Sequence, residues 1–287
     1  MKHIPVRKIK SGPQAQPIPE NFTIRELEQL LAGKDMVQDL HRHDFFLIMV
    51  LAKGAGDHEI DFIPYTLCDH TVFLMRPGQV HKHTIKAGSK GYLIQFKPDF
   101  YPSSETQTLP FFRKCFNQNF FQLETHRIQK LLAIAHAIFE EEKDRQAGYQ
   151  DIIQAKLSIF LIELSRQNQR LNASNNPQKL YSQEILEEFL ARLDTHVSEH
   201  RHVSEYAKML NLSTYQLNAI TKATLGKTCS DLIKEQLVLE AKRYLLATPS
   251  QVKEIAYQLG FEDISYFIRF FKKQTGLTPE AFRHNFK

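Results

Sequence analysis

At 287 residues the chain has room for two domains, and 42% hydrophobic with 24% charged residues is the mix of an ordinary globular protein. No apolar run reaches the ~20 residues that a membrane-spanning helix needs, and residues 1–5 lack the apolar stretch of a secretory signal. Cys68, Cys115 and Cys229 are too few and too scattered for a disulfide framework or a CxxC zinc site, so the expectation is a cytoplasmic protein with no membrane partner.

Residues 1–36 read as irregular, broken by Ser11-Gly12-Pro13 and Pro17-Ile18-Pro19, with a short helix over 20–31. From 37 to 100 short apolar runs follow one another: Phe46, Ile48 and Val50; residues 59–63; 71–75; 80–85; 91–96. Gly54-Ala55-Gly56, Pro77-Gly78 and the segment 86–90 separate them, which predicts an all-β barrel or sandwich. Helical spacing then takes over in 122–142 (Ile128, Leu131, Leu132, Ala135, Ile138, Phe139) and 152–164 (Ile153, Leu157, Phe160, Leu161, Leu164). The polar run 167–177 reads as the interdomain linker, and everything beyond it as helix.

The net charge is +5, but its distribution matters more. Residues 201–287 carry thirteen Lys/Arg against eight Asp/Glu, whereas 180–200 carry one against five. A basic terminal block suits a polyanion.

That block holds an internal repeat. Ala207, Asn211 and Leu212 recur at a shift of 49 as Ala256, Gly260 and Phe261, and Gly226-Lys227-Thr228 recurs as Gly276-Leu277-Thr278. Each copy reads as a helix-turn-helix: a small residue permits close helix approach, the turn takes a residue tolerant of positive φ, and an apolar plug follows. Ser213 to Gln216 is a capping-box pattern. In the second helix of copy one Leu217, Ile220 and Thr221 point inward, against Thr214, Tyr215, Asn218 and Lys222 outside. In copy two Phe267, Phe270 and Phe271 point inward, against Ser265, Arg269 and Lys272. Such faces suit a major groove: Asn218 pairs with adenine, Arg269 with guanine, Tyr215 and Ile264 touch thymine methyls, and Lys222, Lys272 and Lys273 hold phosphates. Leu232, Ile233, Leu237, Ala241 and Leu245 stripe a connecting rod that would hold the copies apart by about 34 Å, one duplex turn.

Residues 185–287 resemble the DNA-binding domain of the AraC/XylS family of transcriptional regulators. The resemblance rests on 255–261 (IAYQLGF), 265–273 (SYFIRFFKK), 275–279 (TGLTP) and Phe282-Arg283. It implies base contacts at Tyr215, Asn218 and Ala219, and at Ile264, Ser265 and Arg269. Ala219 replaces a larger polar residue of the family, which implies fewer bases read by copy one. His202 stands where a Ser or Thr cap is usual.

His41-Arg42-His43 and Arg76 to His81 resemble the two halves of the small cupin barrel that precedes this domain in many family members, and Gly91 to Phe96 fits a later strand. The expected architecture is α+β and multidomain: a cupin-like effector-sensing barrel at 1–104, a helical dimerisation segment at 105–172, and a double helix-turn-helix domain at 180–287. Arg42, His43, Arg76 and His81 are the candidate effector ligands. His41, His43 and His81 also match the way metal cupins assemble a site. Leu47 replaces their glutamate, so neither a metal nor another cofactor is assigned. The implied function is sequence-specific, effector-controlled regulation, an activator by expectation and not an enzyme. Its partners would be double-stranded DNA, a small-molecule effector, a second copy in a homodimer, and RNA polymerase. The alternatives are a metal-dependent cupin enzyme fused to a DNA-binding domain, and a regulator with no ligand.

Overall fold

In a computed structural model of the chain, residues 6–7, 21–101, 109–171 and 177–285 are described. The chain divides into two compact units, one over residues 5–173 and one from 174 onward.

The first unit opens with strands β1 (Val6–Arg7) and β2 (Phe22–Glu26), helix α1 (Leu27–Leu31), and strands β3 (Met36–His43), β4 (Phe46–Lys53), β5 (Gly56–Ile60) and β6 (Ile63–Leu67). Then come β7 (Thr71–Met75), β8 (Val80–Ile85), β9 (Lys90–Phe96), helix α2 (Leu109–Phe116), β10 (Phe120–Gln122), and helices α3 (Thr125–Asp144) and α4 (Tyr149–Leu171). One sheet runs β1-β3-β8-β5-β6, the other β10-β7-β4-β9-β2. Only the β1–β3 pairing among them is parallel.

The unbroken apolar run of β4 has a simple cause: both of its faces are buried. Leu47, Met49 and Leu51 join Phe73, Met75, Ile85 and Leu93 in the core of the barrel. Ile48 and Val50 join Val72, Leu74, Ile94 and Phe96 in a second core. There α3 contributes Ile128, Leu131, Ala135 and Ile138, and α4 contributes Ile153, Leu157, Phe160, Leu161 and Leu164.

Four expectations change here. The predicted helix at 20–31 is a strand for half its described length, because Phe22 to Glu26 pair residue for residue with β9 and only Leu27–Leu31 coil. The run 59–63 is not one strand: Glu59 and Ile60 end β5, Ile63 opens β6, and Asp61 and Phe62 between them take positive φ, 48° and 69°, as the two-residue turn that joins the two strands. The polar run 167–171 continues α4, so helix occupies the first half of the predicted linker, while 172–176 lie outside the described residues. The chain's opening is also not wholly irregular, since Val6 and Arg7 pair with Arg42 and His43.

The second unit is all helix: α5 (Pro177–His196), α6 (Val203–Met209), α7 (Thr214–Leu225), α8 (Cys229–Ala247), α9 (Val252–Gln258), α10 (Ile264–Thr275) and α11 (Pro279–Asn285). The predicted stripe of α8 is buried throughout, and Leu246 and Ala247 extend it. Arg283 closes the C-terminal end of that rod, its guanidinium donating to the carbonyls of Leu245 (2.9 Å) and Ser250 (2.6 Å).

Candidate nucleic-acid interface and barrel cavity

The two turns of the repeat are built alike. The amide of Leu212 donates to the Ala207 carbonyl at 2.9 Å, and that of Phe261 to the Ala256 carbonyl at 2.8 Å. Asn211 and Gly260 occupy the equivalent left-handed positions at φ 54° and 73°. In α7 Ser213 and Gln216 cap each other reciprocally, Gln216 N to Ser213 Oγ at 3.2 Å and Ser213 N to Gln216 Oε1 at 2.9 Å. In α10 the cap is Asp263, whose Oδ1 accepts from the Ser265 amide at 2.7 Å. At α6 the weak His202 cap is offset from the other side: Glu205 accepts from the amides of His202 (2.8 Å) and Arg201 (3.0 Å), and its Oε1 lies 3.1 Å from His200 Nδ1. These bonds, the His202 amide first, hold the Glu205 carboxyl below its usual range. Arg201 ties the two motifs together, lying 4.7 Å over the Phe261 ring and donating to the Gly260 carbonyl.

The inward faces of α7 and α10 are as expected, with Leu217, Thr221, Phe267 and Phe271 buried and Ile220 and Phe270 half-buried. Outside, Thr214, Tyr215, Ala219, Lys222, Ser265, Arg269, Lys272 and Lys273 are exposed, and Ile264 is half-exposed. Tyr215 stands 82% exposed. Among the described residues Arg269 pairs with Asp263, at 3.9 Å, and has 70% of its side chain in solvent.

Asn218 departs from the sequence reading. Its Oδ1 accepts from the Cys229 amide at 3.0 Å, which satisfies the first turn of α8, and its Nδ2 donates to the Thr214 carbonyl at 3.0 Å. Both ends of the Asn218 side chain are thus engaged within the helical unit, so pairing with adenine would require it to give up these bonds.

The barrel encloses a cavity of about 180 Å³. His41, His43, His58, His81 and His83 line it from one sheet; Leu47, Met49, Leu93, Arg25 and Gln95 line it from the other. Arg25 Nη2 donates to Gln95 Oε1 at 3.0 Å. Of the four predicted effector ligands, His43 and His81 face this space. Arg42 does not line it, because strand alternation turns it away from the face that carries His41 and His43. Arg76 does not line it either; it sits at the turn after β7, where its amide donates to Gln79. The polar residues missed by the sequence reading are Arg25, Gln38, Gln95, His58 and His83. A signal existed for His83, since residues 81–83 repeat the H-x-H of 41–43.

The imidazoles form a relay, His58 Nε2 to His81 Nδ1 at 2.8 Å and His81 Nε2 to His43 Nε2 at 3.0 Å, while His41 Nδ1 lies 2.7 Å from the Asp39 carbonyl. Burial, reinforced by the neighbouring imidazoles, pushes His58 and His81 well below the usual histidine range, so both are neutral at physiological pH.

Comparison with known proteins agrees with this geometry. Residues 33–156 match the family described as AraC-like ligand binding domain, and 206–285 match the one described as Helix-turn-helix domain. The chain is 25% identical over 250 residues to the transcriptional activator RhaS of Pectobacterium carotovorum, covering 85% of this chain and 87% of that one. It is 21% identical over 248 residues to the transcriptional activator RhaR of Yersinia pseudotuberculosis, covering 86% and 84%. Among solved structures, the C-terminal domain of the response regulator yesN from Fusobacterium nucleatum is 34% identical, covers 38% of this chain and 99% of its own, and has a TM-score of 0.30. No helix among the described residues is long and apolar enough to cross a membrane. A ligand-binding barrel followed by a duplicated helix-turn-helix makes this chain a member of the AraC/XylS family of transcriptional regulators.

Proposed function

We propose that this regulator reads a specific duplex sequence through α7 and α10 and responds to a small molecule held in the barrel. The observation that carries the DNA half is the duplicated turn, which leaves one polar, basic face exposed on each second helix while the opposite face is buried. Arg269 reads guanine, Tyr215 and Ile264 touch thymine methyls, Thr214, Ser265 and Ala219 line the groove, and Lys222, Lys272 and Lys273 hold phosphates. The rod α8, nineteen residues and therefore about 28 Å long, spaces the two readers for neighbouring grooves.

Residues 1–104 sense, 105–172 dimerise and 180–287 bind DNA in this reading. Ile152 and Ile159, two turns apart on α4, are exposed and offer an apolar edge to a second copy. Binding in the barrel shifts the balance between DNA-competent and incompetent states, as differential affinity requires. The output is activation through RNA polymerase, in the cytoplasm where the DNA is, with no chemical step catalysed.

Arg269→Ala tests the reading. Mobility shifts at fixed salt should show the mutant losing roughly 1–3 kcal/mol of discrimination between the genomic target and random duplex, with little change on random DNA. An equal loss on both would remove base reading from Arg269.

A further inference from the structure

The geometry points to a metal site: the barrel binds one divalent transition-metal ion of the zinc class through His58, His81 and His83. The sequence pattern argued against a metal because it offered only His41, His43 and His81, with Leu47 in place of a carboxylate. The fold adds two donors which that pattern does not contain. Strand β8 lies between β3 and β5, with His81 opposite His41 and His83 opposite His58. Register and alternation thus bring five imidazoles onto one inward face.

The ligand atoms of His58, His81 and His83 lie within 4.8 Å of one another. Three imidazoles on a tetrahedral ion at 2.0–2.1 Å stand about 3.4 Å apart, so the three ligand atoms draw together when the ion binds. The relay also has an end that protein groups do not satisfy. Whichever way protons run along His58, His81 and His43, the Nδ1 of His58 is buried without a hydrogen-bond partner among the described residues. A cation on His58 resolves that deficit by letting the relay reorganise around one bound ligand.

The donor chemistry selects the ion. Among the described residues no carboxylate lines the barrel cavity, so a hard oxygen-seeking ion such as magnesium or calcium finds few ligands there, whereas imidazole suits zinc, nickel and copper. His58 and His83 also border a second cavity of about 530 Å³ lined by Asp39, Asp57 and Glu59, with Lys82 held 3.2 Å from Glu59. Those carboxylates attract a cation toward the two histidines. Three protein ligands leave a fourth position for water or an oxygen donor of an effector.

The test uses the untagged full-length protein, stripped by a chelator and titrated with Zn²⁺ in competition with a chromophoric chelator. One equivalent should bind tightly. His83→Ala, which alters a half-buried position, and His58→Gln should each weaken uptake roughly 100-fold or more, since loss of a mere outer-shell partner already costs 10–100-fold. His196→Ala, in the separate group His196, Glu199 and His200, should leave the tight phase unchanged. Co²⁺ loaded into the wild-type chain should give the intense visible bands of a tetrahedral nitrogen site, so the answer survives even if a variant misfolds. Absence of stoichiometric uptake would overturn the site. So would uptake that is indifferent to His58 and His83 but abolished by His41→Ala. Uptake is measured without DNA, so its failure leaves the regulatory reading intact, and a failure of DNA binding leaves the metal site intact.

Discussion

Gly260 offers the sharpest check on how the second helix-turn-helix is held. Its φ of 73° already disfavours any side chain, at a cost of about 1–2 kcal/mol. A methyl group there would lie 2.5 Å from the carbonyl oxygen of Ser198, which is backbone and cannot swing aside. Overpacking of that kind typically adds about 1–3 kcal/mol. The same glycine's carbonyl receives the Arg201 guanidinium, so a shifted turn also loses the tie between the motifs. We therefore expect Gly260→Ala to destabilise the helical unit by about 2–5 kcal/mol. Gly226→Ala is the internal control: its φ is 69°, and nothing lies within 4 Å of the added carbon. It should cost about 1–2 kcal/mol from the dihedral alone. Urea titration followed by far-UV circular dichroism would measure both, and mobility shifts at fixed salt would show Gly260→Ala losing specific DNA binding first. If the two variants proved equally stable, close packing of the turn on Ser198 would not be what fixes the second motif.

Other expectations follow from named contacts. Asn218→Ala should lower the stability of the helical unit by about 1 kcal/mol in urea titrations, because the Cys229 amide loses its acceptor, while leaving base preference in a binding-site selection unchanged. Arg283→Lys should destabilise the same unit by about 1–2 kcal/mol, since one ammonium cannot serve the carbonyls of both Leu245 and Ser250; thermal melts would show it. Glu205 titrates below its usual range in the folded chain, so its contribution is present above the unfolded carboxylate value and is lost as pH falls through the folded one. The melting difference between wild type and Glu205→Gln should accordingly be fully visible at pH 6–7, shrink once the pH falls below the ordinary glutamate value of about 4.3, and vanish only below the lower folded value. With 35% of the side chain exposed, that difference should stay under about 1 kcal/mol.

Local pattern was enough to read the C-terminal architecture. The Ala–Asn/Gly–plug spacing, the Ser213–Gln216 box and the apolar stripe of α8 depend on contacts three or four residues apart, which a sequence displays directly. The same holds for most strands between 37 and 100, whose borders are marked by glycine and proline. Where local signals competed, the sequence misled. Residues 22–26 look helical by their polar and leucine-rich continuation, yet β9 captures them as a strand through pairings seventy residues away. The helical position of Asn218 gives no hint that an amide eleven residues on takes its oxygen. The barrel interior was the least legible part. Which of the thirteen histidines share a cavity depends on strand order and register between β3, β8 and β5. Those are long-range pairings fixed by the whole sheet, so tertiary structure alone gathered His58 and His83 beside His81 and turned Arg42 away from them.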